Sequence, residues 1–241
     1  MIFNCHGDTH IGLVKTRNED RYLIKEINGG LLLVVADGLG GNPSGDVAAQ
    51  LVVDSLESFQ PHFEGSLELQ LTAAVCRANE LVLQVGNDNS ALQGMGSTVT
   101  VALVMNDQVC WAHVGDSRLY HFREGELEQL TIDQNLGQEL YERGEISADE
   151  LAGHKMRNFL SQCIGEDEIE PVSGHLHLSP GDQLLLSTDG LHDLVQDIEI
   201  KGILSLKNSV QERVARLIIV GLEAGGNDNI TVVLDEAGCS G

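Results

Sequence analysis

The sequence predicts an α+β fold in which antiparallel β-sheets pack on each other and helices cover their outer faces. Short apolar runs, many of them β-branched, alternate with turn signals along most of the chain, and such runs are typical of buried strands. The helical patterns come in pairs separated by several strands. This order lacks the regular strand–helix alternation of a parallel sheet, so we expect antiparallel layers within one domain.

The first 90 residues predict three strands and then two helices. The turn Asn28-Gly29-Gly30 joins the second and third strands as a hairpin. Ser44 or Asp46 is the expected N-cap of the first helix. The expected bounds are 1–10, 21–27 and 31–36 for the strands, and 44–59 and 67–85 for the helices.

The sequence after residue 90 predicts three strands and then a polar insert at about 131–158 with two short helices. Three further strands, two helices and a last strand are expected after the insert. Asn106-Asp107 is the expected turn between the first two of these strands. The expected strands are 98–104, 108–114, 118–122, 159–164, 172–178, 183–187 and 229–234, and the expected helices are 137–143, 148–152, 198–206 and 210–223.

Composition restricts the function. The chain of 241 residues carries a formal charge of −23, from 14 basic and 37 acidic residues. Such a surface repels phosphate backbones and anionic membranes, so neither a nucleic acid nor a membrane is expected as a partner. The N-terminus lacks the pattern of a signal peptide, and no apolar run is long enough to span a bilayer.

Five scattered cysteines form no Cys-x-x-Cys pair, which favours a reducing compartment and a cytoplasmic protein. They are Cys5, Cys76, Cys110, Cys163 and Cys239.

Acidic turns at strand ends carry the strongest functional signal. Asp37-Gly38 and Asp189-Gly190 each follow an apolar run, and Asp228 comes just before another. Most Asp-Gly pairs are ordinary turns in which the aspartate bonds to its own backbone. Several carboxylates gathered at strand ends would repel one another unless a hard cation bound between them. The sequence therefore predicts an oxygen-ligand site for Mg²⁺ or Mn²⁺, and its spacing excludes an EF-hand.

Other candidate sites have simpler interpretations. Gly-Asn-Asp-Asn occurs at 86–89, where it is expected to end a helix, and at 226–229, where it is expected to form part of the site. His175-x-His177 and His113 are expected to be ordinary strand residues. Ser117 lacks a nucleophile elbow, and the glycine-rich stretches, Gly38–Gly41 among them, match neither a Walker nor a Rossmann loop.

Six motifs, in order, resemble those of the protein phosphatase 2C (PPM) family, in its short bacterial form. They extend over more than 200 residues. The motifs are Asn18-Glu19-Asp20, Asp37-Gly38-Leu39-Gly40-Gly41, Gly94-Met95-Gly96-Ser97-Thr98, Val114-Gly115-Asp116-Ser117-Arg118, Ser187-Thr188-Asp189-Gly190-Leu191 and Asp228-Asn229-Ile230-Thr231-Val232.

The resemblance implies a four-layer α-β-β-α sandwich of two antiparallel sheets flanked by helices. It also implies that residues 1–241 form one catalytic domain with a small helical flap at about 131–158. Two Mn²⁺ or Mg²⁺ ions, with a weaker third, would lie at one end between the sheets. A hydroxide bridging the metals would attack phosphoserine or phosphothreonine in proteins.

The resemblance also implies a role for each motif residue. Asp37 bridges the two metals and the Gly38 carbonyl ligates one, whereas Asp189 and Asp228 hold the other. Glu19 and Asp20 act largely through metal-bound waters. Asp116, with Asp189, forms the third site.

The chain departs from the family at two positions. Lys15 stands where the family has its phosphate-binding arginine, five residues before Asp20, and Arg17 is the alternative phosphate ligand. Leu39 stands where some members have a histidine proposed as general acid, so the proton for the leaving group must come from water or another group.

The resulting hypothesis is a cytoplasmic, monomeric phosphatase that acts on the phosphorylated substrates of a cognate Ser/Thr kinase. The main alternative is a catalytically weak regulatory or binding member of the same fold, that is, a pseudophosphatase. A phosphatase dedicated to one partner, such as an anti-sigma-factor antagonist, is a further alternative, and a purely structural metal-binding protein is the least favoured. The complete set of acidic residues argues against the binding member, because unpaired buried acids are costly to retain.

Overall fold

The computed structural model describes residues 3–39, 44–62 and 64–238. Residues 1–2 of the expected first strand, the motif glycines Gly40 and Gly41, and Cys239 lie outside these ranges. The strands are β1 (Phe3–His10), β2 (Arg21–Ile27), β3 (Gly30–Ala36), β4 (Val99–Met105), β5 (Gln108–Val114), β6 (Arg118–Arg123), β7 (Glu126–Gln129), β8 (Val172–His177), β9 (Gln183–Ser187) and β10 (Ile230–Ala237).

The helices are α1 (Gly45–Glu57), α2 (Leu67–Asp88), α3 (Leu136–Glu142), α4 (Ala148–Leu151), α5 (Asp189–His192), α6 (Asp197–Leu204) and α7 (Val210–Glu223). A single 3₁₀ turn spans Lys155–Asn158. Among the described residues, none of these helices has the length and apolar composition that crossing a bilayer requires.

Two five-stranded antiparallel sheets form the centre of the molecule, as predicted. Their strand orders are β1-β10-β9-β6-β7 and β2-β3-β4-β5-β8. Helices α1 and α2 contact the second sheet, whereas α6 and α7 lie on the first. The four-layer α-β-β-α sandwich is therefore confirmed.

Strand β3 shows why the central strands are apolar throughout. Leu31, Leu33 and Val35 pack between the sheets, whereas the alternate residues Leu32 and Val34 pack under the helices. Both faces of the strand are covered, so it has no polar face and its sequence does not alternate.

Antiparallel pairing brings several strand ends to one end of the sandwich. Arg21 at the start of β2 pairs with Ala36 at the end of β3. Ser187 at the end of β9 pairs with Val232 near the start of β10 and with Arg118 at the start of β6. The acidic turns attached to these ends therefore open at the same end.

The expected strand at 159–164 is wrong. Two residues of this segment make isolated bridges with different parts of the chain, Leu160 with Asn135 and Ile164 with Ser97. Neither bridge has a neighbouring pair on one partner strand, so no ladder forms.

Four other elements differ from the prediction. Strand β7, helix α5 and the 3₁₀ turn were not expected, and α2 continues to Asp88 before it ends at the predicted Gly-Asn-Asp-Asn segment. Ser44 occupies the N-cap position of α1, but its side chain makes no capping hydrogen bond.

Candidate active site

A cleft of about 400 Å³ lies where the acidic strand ends meet. Asp37 reaches it from the end of β3, Asp189 from the end of β9, Asp228 from the turn before β10, and Asp116 from the β5–β6 turn. The other lining residues are Lys15, Gly38, Leu39, Asn158, Leu160, Gly190, Asp193, Leu194 and Asn227.

The close approach of two backbones at Gly38 fixes one wall of the cleft. A Cβ at Gly38 would lie 2.1 Å from the Gly45 carbonyl oxygen, so no larger residue fits. The Gly38 amide donates to the Glu19 carbonyl over 3.3 Å, which joins this turn to the start of β2. Glu19 therefore lies behind the wall and is absent from the cleft lining.

Asp20 is fully buried behind the cleft and joins the two sheets. Its Oδ2 accepts hydrogen bonds from Thr188 Oγ1 at 2.8 Å and from Thr231 Oγ1 at 2.6 Å. Its Oδ1 is buried without a hydrogen-bond partner. Burial raises the Asp20 pKa to about 6, although the two hydroxyls favour the charged form.

The carboxylates of the cleft also raise one another's pKa. Burial, and then the charges of neighbouring aspartates, hold the pKa of Asp37 and of Asp189 well above the usual range. Burial and nearby Asp133 and Asp193 raise the Asp116 pKa to about 7. Asp189 Oδ1 is a second buried oxygen without a hydrogen-bond partner. A carboxylate cluster of this kind is stable in its charged form only when cations neutralise it.

The donor set fits Mn²⁺ or Mg²⁺. Every donor in the set is an oxygen atom. Two buried carboxylate oxygens, Asp20 Oδ1 and Asp189 Oδ1, have no hydrogen-bond partner in the protein. Within the described ranges, no group of three or more acidic, histidine or cysteine side chains is close enough together to hold a metal ion without other ligands. The acids line an open cleft instead, which suits ions that keep several water ligands.

Lys15 reaches the cleft from the loop between β1 and β2. Its Nζ lies 2.6 Å from Asp228 Oδ1. Burial alone would lower the Lys15 pKa, but the hydrogen bond and charge of Asp228, with Asp37 and Asp189, raise it overall. Arg17 does not line the cleft.

The Asn229 side chain holds the loop that carries Lys15. Its Nδ2 donates to the carbonyls of Ile11 and Arg17, both at 2.9 Å, and its Oδ1 accepts from the Glu19 amide at 2.8 Å. Gly12 lies against the same turn with a φ of +81°, and a Cβ there would be 2.2 Å from the Asp228 carbonyl. One buried amide thus sets the position of the loop relative to Asp228.

Buried hydroxyls hold the backbone of Asp37. The Asp37 amide donates to Thr98 Oγ1 over 3.0 Å, and Ser97 Oγ donates to the Asp37 carbonyl over 2.9 Å. Thr98 Oγ1 also lies 2.7 Å from Ser117 Oγ. Because Ser117 follows Asp116, this network connects two of the acidic turns.

His113 lies deeper in the same region and is a packed strand residue, as predicted. Its Nδ1 lies 2.9 Å from Thr100 Oγ1, and burial lowers its pKa to about 4, so the ring is neutral.

Residues 131–158, which we call the flap, lie beside the cleft. Arg118 and Asp133 form a buried two-point ion pair, at 2.8 and 2.7 Å, that joins the base of the flap to β6. At its other end, Arg157 Nη2 lies 2.5 Å from Oδ1 of Asp193 in the cleft. The flap is therefore attached both at its base and at the cleft.

The cleft brings together most of the residues that the sequence predicted for one site. Asp37, Gly38, Asp116, Asp189 and Asp228 line one cleft with Lys15, whereas Glu19 and Asp20 lie behind it. Asp193 and Asn158 were missed, as was the importance of Asn229. For Asp193 a signal existed, since it follows Asp189 by four residues, one helical turn.

Comparisons with known proteins find relatives over nearly the whole chain. A family model described as protein phosphatase 2C matches residues 6–223. Protein phosphatase PhpP of Streptococcus pneumoniae serotype 2 is 33% identical in an alignment of 241 positions that covers 94% of each chain.

Solved structures show the same likeness. The crystal structure of the Mycobacterium tuberculosis serine/threonine phosphatase PstP/Ppp matches with a TM-score of 0.93 and 34% identity, covering 99% of this chain and 100% of the other. A structure of the catalytic domain of PstP in complex with two manganese ions matches with a TM-score of 0.89 at 34% identity, covering 98% and 99%.

Proposed function

The chain belongs to the protein phosphatase 2C family, as a metal-dependent serine/threonine protein phosphatase, and we propose that the cleft around Asp37, Asp189 and Asp228 is its active site. The observation that carries this proposal is the group of buried acids with raised pKa values and unpaired oxygens at one end of the sandwich.

We assign two Mn²⁺ or Mg²⁺ ions to this cleft. Asp37 would contact both ions, the Gly38 carbonyl one of them, and Asp189 with Asp228 the other. When bound, these ions supply an acidified water and positive charge for the phosphoryl oxygens. The manganese ions in the related PstP domain support the assignment.

Three further acids support these ligands. Asp116 and Asp189 line the same cleft and would share a weaker third ion. Asp20 has one oxygen fixed by two threonines, so its unpaired Oδ1 is available to orient a water in the site. Glu19 acts in the same indirect way, from behind the Gly38 turn.

Lys15 is the residue we assign to the substrate phosphate, since it is the cation that lines the cleft. Its ammonium would leave Asp228 for the phosphate, where it acts as a point charge and not as the planar fork of an arginine. Leu39 also lines the cleft but has no ionisable proton, so the leaving oxygen takes its proton from water or another group.

The substrates we propose are phosphoserine and phosphothreonine proteins made by a cognate kinase, and the phosphatase acts on them as a cytoplasmic monomer. Residues 1–241 form one catalytic domain, with the flap as its substrate-facing part. The four cysteines within the described ranges are free thiols, which supports a reducing compartment.

Turnover of a chromogenic aryl phosphate, with and without Mn²⁺, tests the proposal. We expect hydrolysis only with metal, and we expect Asp37→Asn to remove both turnover and calorimetric Mn²⁺ binding, because Asp37 would contact both ions. Mn²⁺ binding without turnover by the wild-type chain would favour the binding-only alternative. Substantial turnover by Asp37→Asn at saturating Mn²⁺ would refute the two-ion assignment.

A further inference from the structure

Exposed apolar side chains concentrate on the two segments that border the cleft. In the described part of the chain, thirteen large apolar side chains remain exposed, and eight of them lie within residues 11–14 or 132–159. Single exposed apolar residues are normal on any protein, but a concentration around a binding cleft indicates an interaction surface.

One side of the cleft is bordered by Leu13 and Val14, which are 67% and 65% exposed. They immediately precede Lys15, which lines the cleft. The Leu13 amide donates to the Gly226 carbonyl at 2.7 Å, and Asn229 holds the same loop on both sides. The two apolar side chains are thus presented from a fixed backbone.

A second group of exposed apolar side chains lies in or next to the flap, at Leu136, Met156 and Phe159. Phe159 is 56% exposed and lies between Asn158 and Leu160, both of which line the cleft. Its carbonyl accepts from the Leu136 amide at 2.8 Å, and Met156 precedes the arginine that pairs with Asp193. We call Leu13, Val14, Leu136, Met156 and Phe159 the apolar rim.

Charge determines which substrates suit the apolar rim. The whole chain carries −23, and among the described residues that line the cleft Lys15 is the only cation beside five aspartates. Lys15 can pair with one phosphate, and the net negative charge of the chain would repel acidic residues next to that phosphate. Apolar neighbours would instead bury surface against the rim.

We propose that the apolar rim binds the residues flanking the phosphorylated side chain, and that the substrates are protein segments whose phosphoserine or phosphothreonine has apolar neighbours. The proposal rests on the phosphatase function proposed above. It adds a substrate class, and it makes Leu13, Val14 and Phe159 specificity residues that do not touch the reacting atoms.

The first measurement compares three phosphothreonine peptides of equal length whose flanking residues are leucine and valine, serine and glycine, or aspartate and glutamate. An aryl phosphate serves as a reference that reaches only the cleft. We expect the highest kcat/KM for the apolar peptide and the lowest for the acidic peptide. The difference between apolar and serine–glycine peptides should be about five- to tenfold, the order expected when one or two apolar side chains are partly buried.

Variants then locate the preference on the rim. In the double variant Leu13→Ser/Val14→Ser, and in Phe159→Ser, the ratio of kcat/KM for the apolar peptide to that for the aryl phosphate should fall about fivefold or more. The matched controls are Leu69→Ser on α2 and Ile198→Ser on α6, which are equally exposed (71% and 69%) but outside the two bordering segments. They should leave this ratio unchanged.

The outcomes separate the two proposals. Equal kcat/KM for the three peptides, with normal aryl phosphate turnover, would overturn the rim proposal alone. The rim proposal would also be overturned if the rim variants kept the wild-type ratio of peptide to aryl phosphate kcat/KM but changed the molecular mass measured by light scattering. The rim would then be a contact between copies of the chain. Absence of metal-dependent aryl phosphate turnover would overturn the phosphatase proposal and this one with it.

Discussion

The neighbours of Asp20 show how two hydroxyl groups can occupy one oxygen of a buried carboxylate and leave the other free to bind a water. Thr188 and Thr231 both bond to Oδ2, so the buried Oδ1 remains without a hydrogen-bond partner in the protein. Two hydroxyl donors also offset part of the cost of burying the charge. Thr188→Val or Thr231→Val would leave the Asp20 carboxylate less well oriented, although neither residue lines the cleft.

Lys15 is the residue that we assign to the substrate phosphate, and kinetics can test this role. Lys15→Ala at saturating Mn²⁺ should raise KM, because a charge-assisted hydrogen bond to the phosphate is lost. Such a bond is worth roughly 1.5–3 kcal/mol, or about ten- to more than hundredfold in kcat/KM. Lys15→Arg should preserve or improve activity.

The control for this prediction is Arg17→Ala, because Arg17 lies in the same loop but does not line the cleft. We expect it to have little effect on KM. A nearly normal Lys15→Ala beside a severely impaired Arg17→Ala would transfer the phosphate-binding role to Arg17.

Asn229 should act as a positioning residue for the Lys15 loop. Asn229→Asp keeps the shape but loses both donor bonds, to Ile11 and Arg17, so the loop should loosen. We expect a higher KM for aryl phosphate and faster hydrogen exchange of amides in residues 11–17, with a loss of about 1–3 kcal/mol in unfolding free energy. Asn208→Ala, at an exposed asparagine, should change none of these. Destabilisation with an unchanged KM would reduce Asn229 to a purely structural role.

Asp37 and Asp189 have a strong local signal in the sequence, whereas the contacts of Asn229 and Asp193 join residues that are distant in sequence. Asp37 and Asp189 follow apolar strands and precede glycine, so each could be read from its own neighbours. Asn229 bonds to residues more than 200 positions away, and Asp193 meets an arginine 36 positions earlier. Contacts at such separations depend on how the two sheets stack, which no local pattern specifies.

The secondary-structure elements follow the same distinction. Strands covered on both faces, such as β3, were found because their apolar runs are continuous. Strand β7 (Glu126–Gln129) was missed because only Leu127 in it is apolar, and it forms by pairing with β6 across a turn. The segment 159–164 has a strand-like sequence, but its bridging partners lie in two separate parts of the chain.

Attachment of the flap to the cleft yields a prediction about one ion pair. Arg157→Ala removes the contact with Asp193, so the flap should move more freely over the cleft. We expect faster amide exchange in residues 136–158 and a larger fall in kcat/KM for phosphoproteins than for an aryl phosphate. Partly exposed ion pairs contribute little to stability, so the unfolding free energy should change by about 1 kcal/mol or less.

Arg143 provides the matched control, since it lies in the same flap but pairs only with exposed Glu139 and Glu145. Arg143→Ala should leave exchange and kinetics as in the wild type. Equal losses on both substrates in Arg157→Ala would mean that the pair supports the cleft and not the flap.

At the scale of the whole molecule, the apolar core between the two sheets contains an unexpected acid, Asp235. Asp235 on β10 is almost fully buried and lies on the same strand face as Val233 and Ala237, which belong to the inter-sheet core. Its neighbours on the adjacent strands are Cys5 and Leu184, and its Oδ1 has no hydrogen-bond partner. Burial, and then the charge of Glu236, raise its pKa to about 7.

This pKa makes stability fall as the pH rises. In the unfolded chain Asp235 releases its proton near the ordinary aspartate pKa of 3.8, whereas in the folded protein it keeps the proton until about pH 7. Between these values the unfolded state binds fewer protons, so the unfolding free energy decreases with pH and stays lower above pH 7. Each pKa unit corresponds to about 1.4 kcal/mol, so the loss from this group amounts to at most about 4 kcal/mol.

Asp235→Asn should therefore stabilise the protein at pH 8 relative to the wild type and have little effect at pH 4. The buried acids of the cleft also titrate, but they are the same in both proteins, so the difference in unfolding free energy isolates Asp235. Urea unfolding at pH 4, 6 and 8 measures that difference, and Asp167→Asn, at an exposed loop acid, provides the control. A difference that does not grow with pH would show that Asp235 is already ionised in the folded core. The unpaired Oδ1 would then need a partner that its neighbours Cys5 and Leu184 do not provide.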